Sequence, residues 1–208
     1  MTVGQRSDAI AKAPTINAIC LFCGAQSGTD PLYAEAVRDF VTVLAARDIT
    51  LVTGGGSTGL MGVAADTMIA EGGRVIGIIP ERLMQREVAH KSITDLRVVK
   101  SMHDRKAMMG EISDAFVTAP GGIGTMEELF EFFTWRQLGY HHKPVALLNV
   151  AGYYDALITF MEHAVERGLL GRSVLDQLIM SNDATSLALQ LARMPDVPDN
   201  FRANAAAT

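Results

Sequence analysis

TLVTGGGSTGLMGVAADTMIAEGGRVIGII, from Thr50 to Ile79, changes its period twice within thirty residues. A short β-branched run, Thr50–Thr53, meets a cluster of glycines, then a helix-period segment over Leu60–Glu71, then a second apolar run at Val75–Ile79. Two such runs joined by a helix form a strand–helix–strand unit, which makes the strands parallel. Outward from this unit the same alternation continues, with strands near Ile16–Phe22, Arg97–Val99, Ala115–Thr118, Val145–Leu148 and Leu178–Met180. Helices are expected over Pro31–Arg47, His103–Ile112, Met126–Leu138 and Tyr153–Glu166, with a short closing helix at Ser186–Ala192. The pattern predicts an α/β fold, a doubly wound parallel sheet in a Rossmann-like three-layer sandwich.

The chain has 208 residues, 49% apolar and 20% charged, which suits one sizeable domain, here placed at 15–193. Residues 1–14 and 194–208 lack apolar periodicity and read as flexible arm and tail. The first residues have no apolar core, so they are read neither as a signal peptide nor as a membrane anchor, and no run reaches membrane-spanning length. A net charge of -5 argues against a nucleic-acid surface, which needs clustered cationic excess. Cys20 and Cys23 lie three apart in an expected strand, hence on opposite faces, and read as buried thiols in a reducing cytoplasm.

Ligands in open α/β sheets bind beyond the carboxyl ends of the strands, so the loops after the strands are where chemistry is expected. The first, Thr53–Gly62, carries glycines at 54, 55, 56, 59 and 62. Backbone can approach a ligand closely there, and the amides of the following helix N-terminus suit a phosphate. Gly54, Gly56 and Gly59 also match G-x-G-x-x-G, a weak dinucleotide signal, but it follows the second strand and leaves no room for a second substrate domain. A G-x-x-x-x-G-K-[ST] phosphate loop is absent from the sequence.

The second loop, PGGIGTMEELFEFF from Pro120 to Phe133, closes a strand and opens a helix. Thr125 with Glu128 three residues later reads as a capping box. Glu127, Glu128 and Glu131 also lean toward the mouth of a glycine turn able to hold an anion, an arrangement that suits catalysis. In the third loop, KSMHDRKAMM from Lys100 to Met109, Ser101 is the expected N-cap with Asp104 at the third position. Arg105 and Lys106 then oppose the helix dipole at about 0.3–1 kcal/mol each if exposed, which an anion would offset. His103, His141 and His142 lack partners at metal-ligand spacing and are expected at the surface or an interface.

Together the loops resemble the LONELY GUY proteins, cytokinin riboside 5′-monophosphate phosphoribohydrolases often mislabelled as lysine decarboxylases. The likeness spans about Ile16 to Leu170 and rests on P-G-G-x-G-T-x-x-E (Pro120, Gly121, Gly122, Gly124, Thr125, Glu128), G-G-G-x-x-G-L-M-G and M-H-x-R-K. GYYDAL after the sixth strand is also similar. After Cys23-Gly24 the family shows Ser-Ser, whereas this chain has Ala25 and Gln26. The resemblance implies a catalytic pair, Arg105 and Glu128, with Met102 and Lys106 near the nucleotide. It places Gly55, Gly56, Ser57, Thr58, Gly59, Gly121, Gly122, Gly124 and Thr125 around the phosphate.

Glycosidic cleavage builds an oxocarbenium-like sugar that a carboxylate such as Glu128 can stabilise, or whose attacking water it can activate. Arg105 would bind phosphate or ribose and fix the reacting carbon. No metal or organic cofactor is required. Pyridoxal phosphate chemistry would need a Schiff-base lysine in a built site, a setting that Lys106 and Lys143 lack. The expected partner is a nucleoside 5′-monophosphate, without nucleic acid or membrane. A non-catalytic nucleotide carrier or sensor and a general purine-nucleotide nucleosidase stay open as alternatives. Phe130, Phe132, Phe133 and Trp135 on one expected helix exceed what a single core face needs, which predicts a homodimer.

Overall fold

The computed structural model describes residues 16–84 and 88–195. The expected arm at 1–14 and all of the tail except Met194 and Pro195 lie outside the described residues. The strands are β1 (Ala18–Phe22), β2 (Thr50–Thr53), β3 (Val75–Pro80), β4 (Asp95–Val99), β5 (Ala115–Thr118), β6 (Val145–Leu148) and β7 (Leu178–Ser181). The helices are α1 (Pro31–Ala45), α2 (Gly59–Ala70), α3 (Met102–Ile112), α4 (Ile123–Gln137), α5 (Asp155–Glu166), α6 (Arg172–Leu175) and α7 (Ala184–Ala192).

All strand pairs are parallel, in the order β4-β3-β2-β1-β5-β6-β7. The chain therefore winds outward from β1 to β4, returns to the other side of β1 with β5, and winds outward again. The order reverses between β1 and β5, so the cleft beyond their carboxyl ends is where this fold accepts a ligand.

Alternation along the strands makes two cores. Ile19, Leu21, Leu51 and Val117 face α1, α2 and α7, where Val37, Phe40, Val41 and Leu44 of α1 recur at helical spacing. Asp30 caps α1 by accepting from the Leu32 amide at 2.9 Å, and Pro31 starts the helix. Cys20, Phe22, Val52, Ile78 and Phe116 face the opposite layer, with Met109 of α3, Phe132 of α4 and Met161 of α5. Rings of Phe22, Phe116 and Phe132 stack there with centroids 4.2–6.2 Å apart. Each fully buried side chain of this kind contributes about 1.5–3 kcal/mol. The two thiols divide between the cores, Cys23 in the first and Cys20 in the second, and both are unpaired.

Strand ends depart from the sequence reading for local reasons. Asp114 accepts the amides of Asn17 and Ala18 at 2.7 and 2.9 Å, so the ladder of β1 starts only at Ala18. Edge strand β4 begins two residues earlier than expected, where Asp95 holds the Arg97 guanidinium at 3.0 Å. The four-residue α6 has no counterpart in the expected elements. His141, expected at a surface or interface, is a core residue instead, bonded to the Phe132 carbonyl at 3.0 Å and packed on the Phe116 ring.

Candidate active site

Beyond β1 and β5 the backbone continues the sheet contact for one more step. Ala119 donates to the Phe22 carbonyl at 2.9 Å, and Gly24 donates to the Pro120 carbonyl at 3.0 Å. Past this point the loops part around a cleft of about 600 Å³. Its wall is formed by Cys23–Gly28, Tyr33, Leu60, Met61, Leu83, Met102, Arg105, Pro120–Gly122, Gly124, Thr125, Glu127, Glu128 and Tyr153.

Helix α3 delivers Arg105. Its start is the capping box the sequence predicts, with Ser101 accepting from the Asp104 amide at 3.0 Å and Asp104 accepting from the Ser101 amide at 3.1 Å. One turn on, Arg105 is only 4% exposed, so it is not a solvated cation. Its Nη2 donates to the Gly54 carbonyl at 3.0 Å. A Cβ at position 54 would fall 1.9 Å from that Nη2, which is why glycine stands there.

Helix α4 begins at Ile123 with Gly122 as N-cap, three residues before the expected start. The capping-box reading of Thr125 and Glu128 is therefore incorrect. Thr125 is already in the first turn, packed so closely over Gly121 that a Cβ on that glycine would lie 2.2 Å from its Oγ1. Gly122 takes the extended N-cap conformation, and no side chain caps the helix. Glu128 sits in the second turn, too far along for N3 capping, and lines the cleft.

Of the three α4 carboxylates, Glu127 and Glu131 share one partner. Lys106 Nζ, almost fully buried, lies 2.5 Å from Glu127 Oε1 and 2.6 Å from Glu131 Oε2, tying α3 to α4. Burial opposes the lysine charge, but the two carboxylates outweigh it and hold its pKa above the ordinary value. Glu128 instead projects negative potential toward β1, where burial first and this carboxylate second push the Cys20 and Cys23 thiols up.

The glycine loop before α2 packs against neighbouring segments. Leu60 and Met61 donate to the Gly24 carbonyl at 2.9 and 3.3 Å, so these amides are not open to an anion. Ser57 donates to the Val88 carbonyl through both its amide and its hydroxyl. Gly59 has φ +61°, and a Cβ there would fall 2.3 Å from the backbone of Ala25 and Gln26. The loop thus braces the Cys23–Gly28 segment from behind. Gly55, Gly56, Ser57, Thr58, Gly59 and Lys106 are not on the cleft wall, whereas Met102, Arg105, Gly121, Gly122, Gly124, Thr125 and Glu128 are brought together on it.

Tyr33 and Tyr153, which the loop motifs do not include, also line the cleft, and their rings meet edge-on at 5.4 Å. The GYYDAL resemblance was the available signal for Tyr153. Among the described residues no cluster of three His, Cys, Asp or Glu could hold a metal, and no helix is long and apolar enough to cross a membrane.

A family model described as "Possible lysine decarboxylase" matches residues 61–191. The Oryza sativa subsp. japonica protein named "Probable cytokinin riboside 5'-monophosphate phosphoribohydrolase LOGL3" is 47% identical over 168 residues, 81% of this chain and 80% of its own length. The Arabidopsis thaliana protein "Cytokinin riboside 5'-monophosphate phosphoribohydrolase LOG1" is 44% identical over 173 residues, 83% of this chain and 81% of its own. The chain belongs to the LONELY GUY family. Among solved structures, a molybdenum cofactor binding protein from Rippkaea orientalis superposes with TM-score 0.63 at 19% identity, covering 86% of this chain and 96% of that one, a likeness of fold alone. The decarboxylase wording of the family model has no support in this LONELY GUY cleft. Lys106 is held by two carboxylates, the buried Lys143 Nζ donates to the Gly110 carbonyl at 2.7 Å, and among the described residues no lysine lines the cleft.

Proposed function

We propose that this LONELY GUY protein hydrolyses the N-glycosidic bond of AMP and of N6-substituted AMP, releasing the free base and ribose 5-phosphate. The observation that carries the reading is the convergence of a buried cation, Arg105, and a carboxylate, Glu128, on one cleft at the sheet's switch point. The 5′-phosphate is assigned to the Gly121–Thr125 turn, where α4 starts without a side-chain cap and presents its dipole end. Met102 and Arg105 hold the ribose and phosphate from the α3 side. In the reaction the C1′–N9 bond breaks, its electron pair leaves with the base, and a water oxygen bonds to C1′. Glu128 stabilises the cationic sugar or takes the water proton, while the base gains a proton. Gly55–Gly59 and Lys106 act from behind by holding the wall in place.

The exposed apolar residues Ile123, Phe130 and Leu138 lie along α4, and a second copy of the chain covering them makes the protein a homodimer. The sequence expectation is revised in part, because Phe132 and Phe133 are buried within the subunit. The unpaired Cys20 and Cys23 suit a cytoplasmic setting. Chromatographic product analysis tests the activity: adenine is expected from AMP and none from adenosine. No free base from any 5′-monophosphate refutes the hydrolase and favours a nucleotide carrier. Light scattering at micromolar protein tests the dimer, which a monomer mass refutes.

A further inference from the structure

The turn assigned to the phosphate, Pro120–Gly122, contains two glycines: a Cβ at Gly121 would fall 2.2 Å from Thr125 Oγ1, whereas one at Gly122 would meet nothing within 4 Å, so neither residue has a side chain to restrain the direction of its peptide. Hydrogen bonds to the carbonyls do. Three successive carbonyls ahead of α4 are each engaged from outside the turn. Ala119 O accepts from the Tyr154 hydroxyl at 2.8 Å, Pro120 O from the Gly24 amide at 3.0 Å, and Gly121 O from the Tyr153 hydroxyl at 2.6 Å.

The peptides here are trans, so each N–H points opposite to the carbonyl that precedes it. Fixing the Gly121 carbonyl therefore fixes the direction of the Gly122 N–H, and fixing the Pro120 carbonyl does the same for Gly121. From this geometry we propose that Tyr153 is a positioning residue of the phosphate site: its hydroxyl locks the Gly121–Gly122 peptide so that the Gly122 amide is directed at the 5′-phosphate before substrate arrives. The inference rests on the phosphate assignment made above and deepens it. Tyr153 is itself held, edge-on to Tyr33 at 5.4 Å and to Tyr154 at 4.8 Å, so its hydroxyl is placed by packing on both sides. The adjacent Tyr154 makes a bond of the same kind, but the residue after Ala119 is Pro120, which has no N–H to aim.

That asymmetry supplies the test. Tyr153→Phe keeps the ring and removes the hydroxyl, leaving the Gly–Gly peptide able to turn over. Titration of ribose 5-phosphate, which is not turned over, should show about a tenfold rise in Kd, the scale of one oriented hydrogen bond, with a matching rise in KM for AMP and a smaller change in kcat. Adenosine affinity should stay within about twofold, because it presents no phosphate to the turn. Tyr154→Phe should lower the melting temperature yet leave ribose 5-phosphate affinity unchanged. If Tyr153→Phe binds ribose 5-phosphate as wild type does, or loses adenosine and ribose 5-phosphate affinity equally, the positioning role is overturned while the hydrolase reading stands. If Tyr154→Phe weakens ribose 5-phosphate as much as Tyr153→Phe, the hydroxyls act through general stability and the proposal also fails. A wild-type protein with no affinity for ribose 5-phosphate or AMP overturns the phosphate assignment itself and this inference with it.

Discussion

Gly54→Ala should leave a folded protein that barely turns over. The Cβ would be 1.9 Å from Arg105 Nη2, 3.1 Å from its Cζ and 3.3 Å from Met61 Sδ. Reaching ordinary contact obliges the guanidinium head to withdraw by about 1.5 Å. Gly54 φ is not in the left-handed region, so the backbone accepts alanine, and the atoms in the way are the far end of a side chain rather than main chain. The loss of the 3.0 Å bond from Arg105 to the Gly54 carbonyl costs about 1.5–3 kcal/mol, partly offset by about 0.4–1 kcal/mol from the stiffer unfolded chain. A melting point lower by several degrees follows for a domain of this size. Displacing a positioning group by more than 1 Å costs on the order of a hundredfold in rate. The assay is adenine release from AMP beside thermal unfolding. Turnover within a few-fold of wild type, with the melting point lowered as stated, would show that the Arg105 position does not matter and refute the reasoning.

Lys106→Met should remove a stabilising contribution that depends on pH. The folded pKa of Lys106 lies above the unfolded value near 10.4, so the contribution is complete below about pH 10.4 and declines as pH rises above it. Urea unfolding should therefore show the gap between wild type and Lys106→Met narrowing above that pH, and a gap constant through pH 11.5 contradicts the assignment. Cys20 and Cys23 should resist a thiol reagent at pH 8 in the native protein and react fully in denaturant, because burial and the Glu128 charge hold both thiols protonated. Rapid labelling of the folded protein excludes this.

The sequence revealed the strand–helix alternation because both periods are written in apolar residues, and Thr50–Ile79 alone decides for parallel strands. Arg105 and Glu128 were legible through their loops, but their surroundings were not. The true start of α4 was hidden because Thr125 and Glu128 have the spacing of a capping box, whereas the helix begins at Ile123 with Gly122 as N-cap and no side-chain cap. Likewise, Lys106 could not be separated from Arg105 by sequence, since its partners Glu127 and Glu131 belong to the next helix. The glycines at 54 and 59 read as ligand-approach positions, yet one makes room for an arginine and the other for the backbone at Ala25 and Gln26. The surroundings of Lys106, Gly54 and Gly59 are contacts between segments distant in sequence, which local pattern does not encode.

Single-turnover cleavage of AMP by Glu128→Gln tests whether the Glu128 charge drives glycosidic cleavage. Glutamine fills the same space without the charge an oxocarbenium-like sugar needs, and Glu128 has no capping duty for it to disturb. The rate should fall at least about a hundredfold below wild type, with the melting temperature and ribose 5-phosphate affinity essentially retained. A Glu128→Gln protein that cleaves AMP at near wild-type rate would contradict that role.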